Sequence, residues 1–253
     1  MHCIGRSSGS GPTNMPEPAK RKTALVAALE REVRPLIKNW RLIEREHDGR
    51  HFRFFEKDNF VLVCGGIGAM PARRAAEAVI ALFSPEIIYS VGFAGALDPQ
   101  LKVGDVILPR RVINAGDGSS VSLNASDGVL VSFGSVASPD QKRKLRDSFG
   151  AQAVDMEAAS VLRAADAHAI RFGAIKAISD DADFDFPATE RFVDAEGRFS
   201  EARFALFAAL RPWLWGRVLR LARNSNQAAR SLCSYLMRLC TEQTSIANVT
   251  PHQ

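Results

Sequence analysis

The stretch Glu86-Ile87-Ile88-Tyr89-Ser90-Val91-Gly92-Phe93-Ala94-Gly95 decides how the chain is to be read. An apolar run of strand length, Glu86–Val91, ends in a glycine-bounded step, and in α/β sheets ligands gather at such carboxyl ends of strands. Upstream, the strand Phe60–Cys64 ends in Gly65-Gly66-Ile67-Gly68 and leads into a helical pattern over Pro71–Phe83. His51–Glu56 reads as the strand before it, across a turn at Lys57-Asp58-Asn59. Before these, the apolar strand Thr23–Leu29 runs into Glu30-Arg31-Glu32-Val33, a helix start whose acidic first turn suits the helix dipole. Downstream, the turn Val103-Gly104 precedes a strand over Asp105–Leu108, and a polar loop spans Asn114–Asp127. A strand at Val129–Ser132, a helix at Pro139–Phe149, a strand at Ala151–Met156, a helix at Glu157–Ala167 and a strand at Phe172–Ile178 complete the body. Strands alternating with helices predict one α/β domain, with a sheet covered by helices on both faces, over residues 23–200.

With 46% apolar and 24% charged residues in 253, the chain has the balance of an ordinary globular protein. A disordered chain, a collagen and a disulfide scaffold are excluded. No stretch approaches the run of ~20 apolar residues that a membrane span requires. Residues 1–22 read as a flexible tail, Gly/Ser-rich at its start and without the apolar segment of a secretory signal. Cys3, Cys64, Cys233 and Cys240 form no CxxC, and the five histidines form no HExxH. Those spacings predict a reducing, cytoplasmic setting and no metal site.

The net charge of +5 is local. Between Ala202 and Thr241 there is no acidic residue but there are seven arginines, and without them the remaining chain carries −2. A basic tail on a mildly acidic body argues against nucleic acid as the partner. Phe204, Phe207, Trp213, Leu214 and Trp215 are interleaved with the arginines, and Arg217, Arg220 and Arg223 share one helical side. Two readings follow for the extension 201–241, which leaves 242–253 as a C-terminal tail. The segment is a basic amphipathic helix on an anionic membrane surface, or a helix whose apolar face packs on the domain.

Several chemistries are excluded by motif. Pro71 stands where a dinucleotide fingerprint needs its third glycine after Gly66 and Gly68. Tyr89 and Tyr235 are followed four residues later by Phe93 and Leu239, not by the lysine of a short-chain reductase. The P-loop pattern GxxxxGK[ST] and the nucleophile elbow GxSxG are absent.

Six segments occur in an order that carries more than any one of them: Ala28-Leu29-Glu30-Arg31-Glu32-Val33, Gly66-Ile67-Gly68, Val91-Gly92-Phe93-Ala94-Gly95-Ala96-Leu97, Leu101-Lys102-Val103-Gly104-Asp105-Val106, Ala153-Val154-Asp155-Met156-Glu157-Ala158 and Ala177-Ile178-Ser179-Asp180. Together they resemble the nucleoside phosphorylase superfamily, on its methylthioadenosine/S-adenosylhomocysteine nucleosidase side. The resemblance implies a mixed central sheet, a homo-oligomer, no organic cofactor, and cleavage of the bond between ribose and a purine. It implies that Asp180 protonates or hydrogen-bonds adenine N7, with Ser179 orienting it. Glu157 would bind the ribose hydroxyls, with Met156 against the sugar, and Glu32 would activate the attacking water. Gly66 and Gly68 would form a water or phosphate loop. Singly, each carboxylate also reads as a helix-start or capping acid. Three of them, each opening after a separate strand, make the site reading the stronger.

Two departures from the family pattern bear on the reaction. The family's Gly-Ser step is Gly92-Phe93 here, which removes a phosphate-binding hydroxyl and favours water as nucleophile. Backbone amides of Gly92, Phe93, Ala94 and Gly95 could still hold an anion, so phosphate stays open. The segment before Ala151 lacks the aromatic that stacks on the base, and Val136 and Ala137 fall nearest to the base-contacting positions. The tail, with Arg211-Pro212-Trp213-Leu214-Trp215, resembles the hopanoid-associated phosphorylase branch, which implies a lipid-linked 5′-modified adenosine, adenosylhopane, taken from a membrane. Two other readings stand beside it: a soluble methylthioadenosine/S-adenosylhomocysteine nucleosidase, and a non-catalytic membrane-associated nucleoside-binding protein.

Overall fold

Thr23-Ala24-Leu25-Val26-Ala27 is buried at every position because helices cover both of its faces. Ala24 and Val26 face one core group and Leu25 and Ala27 the other, as a period of two demands. In a computed structural model of the chain, which describes residues 22–184, 192, 194, 197, 200 and 215–249, this strand is β1 (Thr23–Ala27). There follow α1 (Glu30–Ile37), β2 (Arg41–His47), β3 (Arg50–Lys57), β4 (Phe60–Cys64), α2 (Ala69–Phe83) and β5 (Ile87–Ala96). Next come β6 (Val106–Ile107), β7 (Pro109–Asn114), β8 (Ser120–Ser122), β9 (Asp127–Ser132) and α3 (Pro139–Phe149). The described chain ends with β10 (Ala153–Asp155), α4 (Ala158–Ala167), β11 (Arg171–Asp180) and α5 (Trp215–Val249).

The eleven strands form one mixed sheet in the order β2-β3-β4-β1-β5-β10-β9-β7-β8, with β11 on β5 and β6 on β11. Helices α2 and α4 cover one face through Ala72, Ala75, Val79, Val161 and Ala165; α1 and α5 cover the other through Val33, Leu36, Leu232 and Leu236. The expected α/β domain with a mixed sheet flanked by helices is therefore what the chain forms.

Strand β5 places the site. Its first half, Ile87–Ser90, lies between β1 and β11, both parallel to it. Beyond Val91 β1 has ended, and Gly95 and Ala96 pair instead with antiparallel β10. The glycine step read as a strand end is thus inside a strand that continues to Ala96. On its other side β11 keeps register to Ile178, then bulges, so that Asp180 rather than Ser179 stands opposite Gly95. A bulge inserts one residue and re-aims the next side chain.

Three strands lie outside the sequence reading. β2 is a mostly exposed, charged edge paired along β3, and β7 and β8 pair across what reads as a polar loop. The C-terminal helix runs past Thr241 to Val249, where a tail is expected from sequence. Its inner stripe Ala228, Leu232, Cys233 and Leu236 is buried against β1, β4, α1 and β11, so the packing alternative holds for this part. Its first turns differ: Arg217, Arg220, Arg223, Trp215 and Leu219 are exposed. The N-terminal residues 1–21, and 201–214 with Arg211 and Trp213, lie outside the described residues.

Candidate active site

Two carboxylates, Glu32 and Asp180, close on the second half of β5 where glycines make the approach possible, and a third, Glu157, is held by a glycine amide. Glu32 sits in the first turn of α1, and its Oε2 lies 2.7 Å from where a Cβ on Gly92 would stand. Gly92 has φ +146°, a conformation side chains disfavour, so the strand and the buried acid both require glycine there. Asp180 Oδ2 lies 2.8 Å from the corresponding position on Gly95. Glu157, the N-cap residue of α4, accepts from the Gly68 amide through Oε1 at 2.8 Å and from the Met156 amide through Oε2 at 3.3 Å.

Beneath them runs a buried polar chain. Lys176 Nζ is 2.9 Å from Asp155 Oδ2 and donates to Ser90 Oγ at 3.0 Å. Asp155 also accepts from Ser132 Oγ at 2.6 Å and from the Ala158 amide at 2.8 Å, and Ser132 Oγ in turn accepts from the Ala159 amide. Every member has partners, which is what allows such groups inside a protein. Burial works to lower the Lys176 pKa, but Asp155, Glu157 and Glu32 outweigh it and hold the ammonium above its usual range.

The same crowding acts on the acids. Burial, followed by the charge of Glu157 and countered by Lys176 and Arg31, pushes Glu32 up to about 7. Glu157 is pushed up to about 6 by burial and by Asp155, against the pull of Lys176 and of the two amides it accepts from. Glu32 Oε2 is buried and has no hydrogen-bond partner among the described residues. A half-neutral carboxylate with one free oxygen is what a base poised near pH 7 looks like.

Asp180 keeps a fifth of its side chain exposed. Ser179 Oγ donates to its Oδ1 at 2.7 Å, and Lys142 Nζ to its Oδ2 at 2.5 Å. Lys142 also donates to the Asp181 carbonyl at 2.6 Å.

The other residues singled out from sequence fall as follows. Phe93, partly buried, packs against the α1/α5 core group, and Ala94 is buried in another. Met156 is half-buried beside Glu157. Val136 is exposed, whereas Ala137 turns into a core group with Leu97, Val131 and Leu145. In the Gly66–Gly68 loop the amides of Gly66, Ile67 and Gly68 donate to Ala28 O, Gly197 O and Glu157 Oε1. Sequence reasoning missed Lys142 and Lys176. Lys176 had a signal, a lone lysine in the apolar run Gly173–Ile178; Lys142, among the charges of Pro139–Phe149, had none. Among the described residues no group of three or more His, Cys, Asp or Glu side chains is arranged to hold a metal ion.

Acids grouped at one sheet edge beside a buried lysine suit chemistry in which a sugar becomes cationic as its base departs. Comparison with known proteins agrees in kind. The chain matches the Phosphorylase superfamily over residues 22–139 and 123–210, most of its length, and belongs to it. It is 24% identical over 225 residues to aminodeoxyfutalosine nucleosidase of Campylobacter jejuni, covering 73% of this chain and 96% of that protein. It is 28% identical over 194 residues to a 5′-methylthioadenosine/S-adenosylhomocysteine nucleosidase of Staphylococcus aureus, covering 62% and 85%. The crystal structure of the Helicobacter pylori 5′-methylthioadenosine/S-adenosylhomocysteine nucleosidase superposes with TM-score 0.66 at 18% identity, over 88% of this chain and 98% of that one. Futalosine hydrolase of Helicobacter pylori gives 0.61 at 20%, over 86% and 98%, so both share the fold. The chain is an enzyme of the nucleoside hydrolase and phosphorylase kind.

Proposed function

We propose that this enzyme cleaves the N-glycosidic bond of a 5′-modified adenosine and releases adenine, with water as the nucleophile. The observation that carries the reading is the close approach of Glu32 to Gly92 and of Asp180 to Gly95 in β5, with Glu157 held by the Gly68 amide and close enough for its charge to act on Glu32. Glu32, raised to about 7 and with Oε2 unpartnered, takes the proton of the attacking water. Glu157 binds the ribose hydroxyls, and with Glu32 it surrounds the sugar with negative charge as the oxocarbenium character grows. Asp180, oriented by Ser179, serves N7 of the departing base. Water is favoured over phosphate because all three amides of the Gly66–Gly68 loop already donate within the protein, leaving that loop no N–H for an anion.

For the 5′ group the reading is a lipid, adenosylhopane, taken from the inner face of the membrane of the cytoplasm. Support comes from the exposed Arg217, Arg220 and Arg223 beside exposed Trp215 and Leu219 at the start of α5. A second reading, a soluble methylthioadenosine/S-adenosylhomocysteine nucleosidase, is favoured by the packed inner stripe of the same helix, which needs no membrane. Exposed Met70 and Val136 suit contact with a second copy of the chain, as a homo-oligomer requires.

The deciding experiment follows adenine release from adenosylhopane in detergent and from methylthioadenosine in buffer, each with and without phosphate. Release from the lipid nucleoside alone, independent of phosphate, is the expected result. Release from methylthioadenosine alone establishes the second reading, and a requirement for phosphate replaces water. No release from either overturns the reading of the site.

A further inference from the structure

Lys142 has no part in the chemistry so far. Its side chain is only 4% exposed, although it belongs to a helix whose neighbours Arg143, Lys144 and Arg146 point to solvent. The N-terminus of α3 holds it there: Ser138 and Gln141 form a reciprocal capping box, and the Lys142 amide donates to Ser138 O at 2.8 Å. From this first turn Nζ reaches across to Asp180 Oδ2 and the Asp181 carbonyl. Two acceptors from β11 and the residue after it fix one ammonium group.

The pairing bears on the proton balance. Asp180 accepts at Oδ1 from Ser179 and at Oδ2 from Lys142, so both of its oxygens face donors. A departing purine needs a proton at N7. Of the two donors only Lys142 is a cation, so it can release a proton without creating a new negative charge.

We propose that Lys142 is a positioning residue that acts through Asp180, holding its carboxylate and delivering the proton that Asp180 passes to the leaving base. This rests on the reading of Asp180 as the acid at N7. As the bond between C1′ and N9 breaks, its electron pair goes to the purine, N7 takes a proton through Asp180, and Lys142 is left as a neutral amine. Water adds to C1′ and gives its proton to Glu32. Loss of that proton to solvent, and uptake of one by Lys142, restores the starting state. Over one cycle a water molecule is split between ribose and adenine.

The test uses the full chain with two substrates, the adenine nucleoside it cleaves and p-nitrophenyl riboside, whose leaving group departs as a stabilised anion without a proton. Lys142→Met is expected to lower kcat for adenine release by about 10²-fold, with KM little changed and nitrophenolate release retained. That retained activity also reports a folded site. Lys142→Arg keeps the charge and the hydrogen bonds but cannot give up its proton, so it is expected to stay as slow on the adenine nucleoside as Lys142→Met. Restoration of adenine release by arginine, or an equal loss on both substrates, overturns the proposal and makes Lys142 a purely structural clamp. Should Lys142→Met fail to fold, the arginine variant decides alone. Asp180→Asn separates the two readings. If it does not selectively lose adenine release, the assignment of Asp180 fails and that of Lys142 with it. If it does while Lys142→Met does not, the Lys142 proposal alone is wrong.

Discussion

Two lysine–aspartate pairs lie along β11 and its neighbours, and they are built in opposite ways. In the Lys176–Asp155 pair both side chains are sealed, at 1% and 0% exposure, and two serine hydroxyls and the Ala158 amide complete the network. In the Lys142–Asp180 pair the lysine is sealed but the aspartate is 20% exposed, with Ser179 its other partner. A pair closed on every side cannot touch a ligand, though its charges still act on Glu32 and Glu157. A pair closed at the cation and open at the acid can meet a ligand. Charge and residue type are identical in the two; the difference lies in which side chain keeps some exposure.

The largest expected effect tests the open pair. Asp180→Asn should reduce adenine release by about 10²–10⁴-fold with a smaller loss of thermal stability than breaking the closed pair, since the amide keeps the shape and one acceptor and the Asp181 carbonyl still holds the buried Lys142 ammonium. A large drop in melting temperature instead would make Asp180 as structural as Asp155, and the contrast would vanish. Next comes the closed pair. Lys176→Met leaves the Asp155 charge buried without its cation and should cost about 3–5 kcal/mol in denaturant unfolding. If the variant is stable but inactive, Lys176 belongs to the chemistry rather than to the scaffold.

A smaller effect separates close approach from mere proximity. Gly95→Ala puts a Cβ 2.8 Å from Asp180 Oδ2, and the displaced carboxylate should slow adenine release by up to about 10²-fold while nitrophenolate release from p-nitrophenyl riboside persists. Equal loss on both substrates would show that the strand, not the acid, had moved.

The smallest concerns Glu32, whose pKa lies at about 7 in the folded chain against 4.5 for a free glutamate. Between those values the unfolded chain has lost the proton that the native one keeps, so this group makes stability fall as pH rises from about 4.5 through 7. Glu32→Gln should therefore gain roughly 1–3 kcal/mol at pH 8, gain little at pH 4, and lose activity. An unchanged pH dependence of melting temperature would place the Glu32 carboxyl in a wetter setting than its burial indicates.

Much of this was legible in the residues. Apolar runs of strand length at Thr23, Phe60 and Glu86, each closed by glycines or acids, announce the sheet because fully buried strands leave no polar alternation. Glu32, Glu157 and Asp180 stand out because each follows such a run. The strands β2, β7 and β8 were not legible, since short, charged or polar segments become strands only when a neighbour supplies their hydrogen bonds. The basic tail was half legible: its arginines are exposed as their spacing indicates, but the stripe Ala228, Leu232 and Leu236 is covered by β-sheet and α1 rather than left for a surface.

Local order along the chain thus settled which segments became strands of the core and which acids closed them, because hydrophobic period and helix-start chemistry act over a few residues. The choice of lysine was not local. Lys142 reads like Lys144 two positions on, and Lys176 like a misplaced charge, until the bulge at Ser179 turns Asp180 toward Gly95 and the capped start of α3 aims one ammonium at it. Which charge ends up buried beside which acid depends on contacts between residues 38 apart in the chain, and those exist only once the sheet has closed.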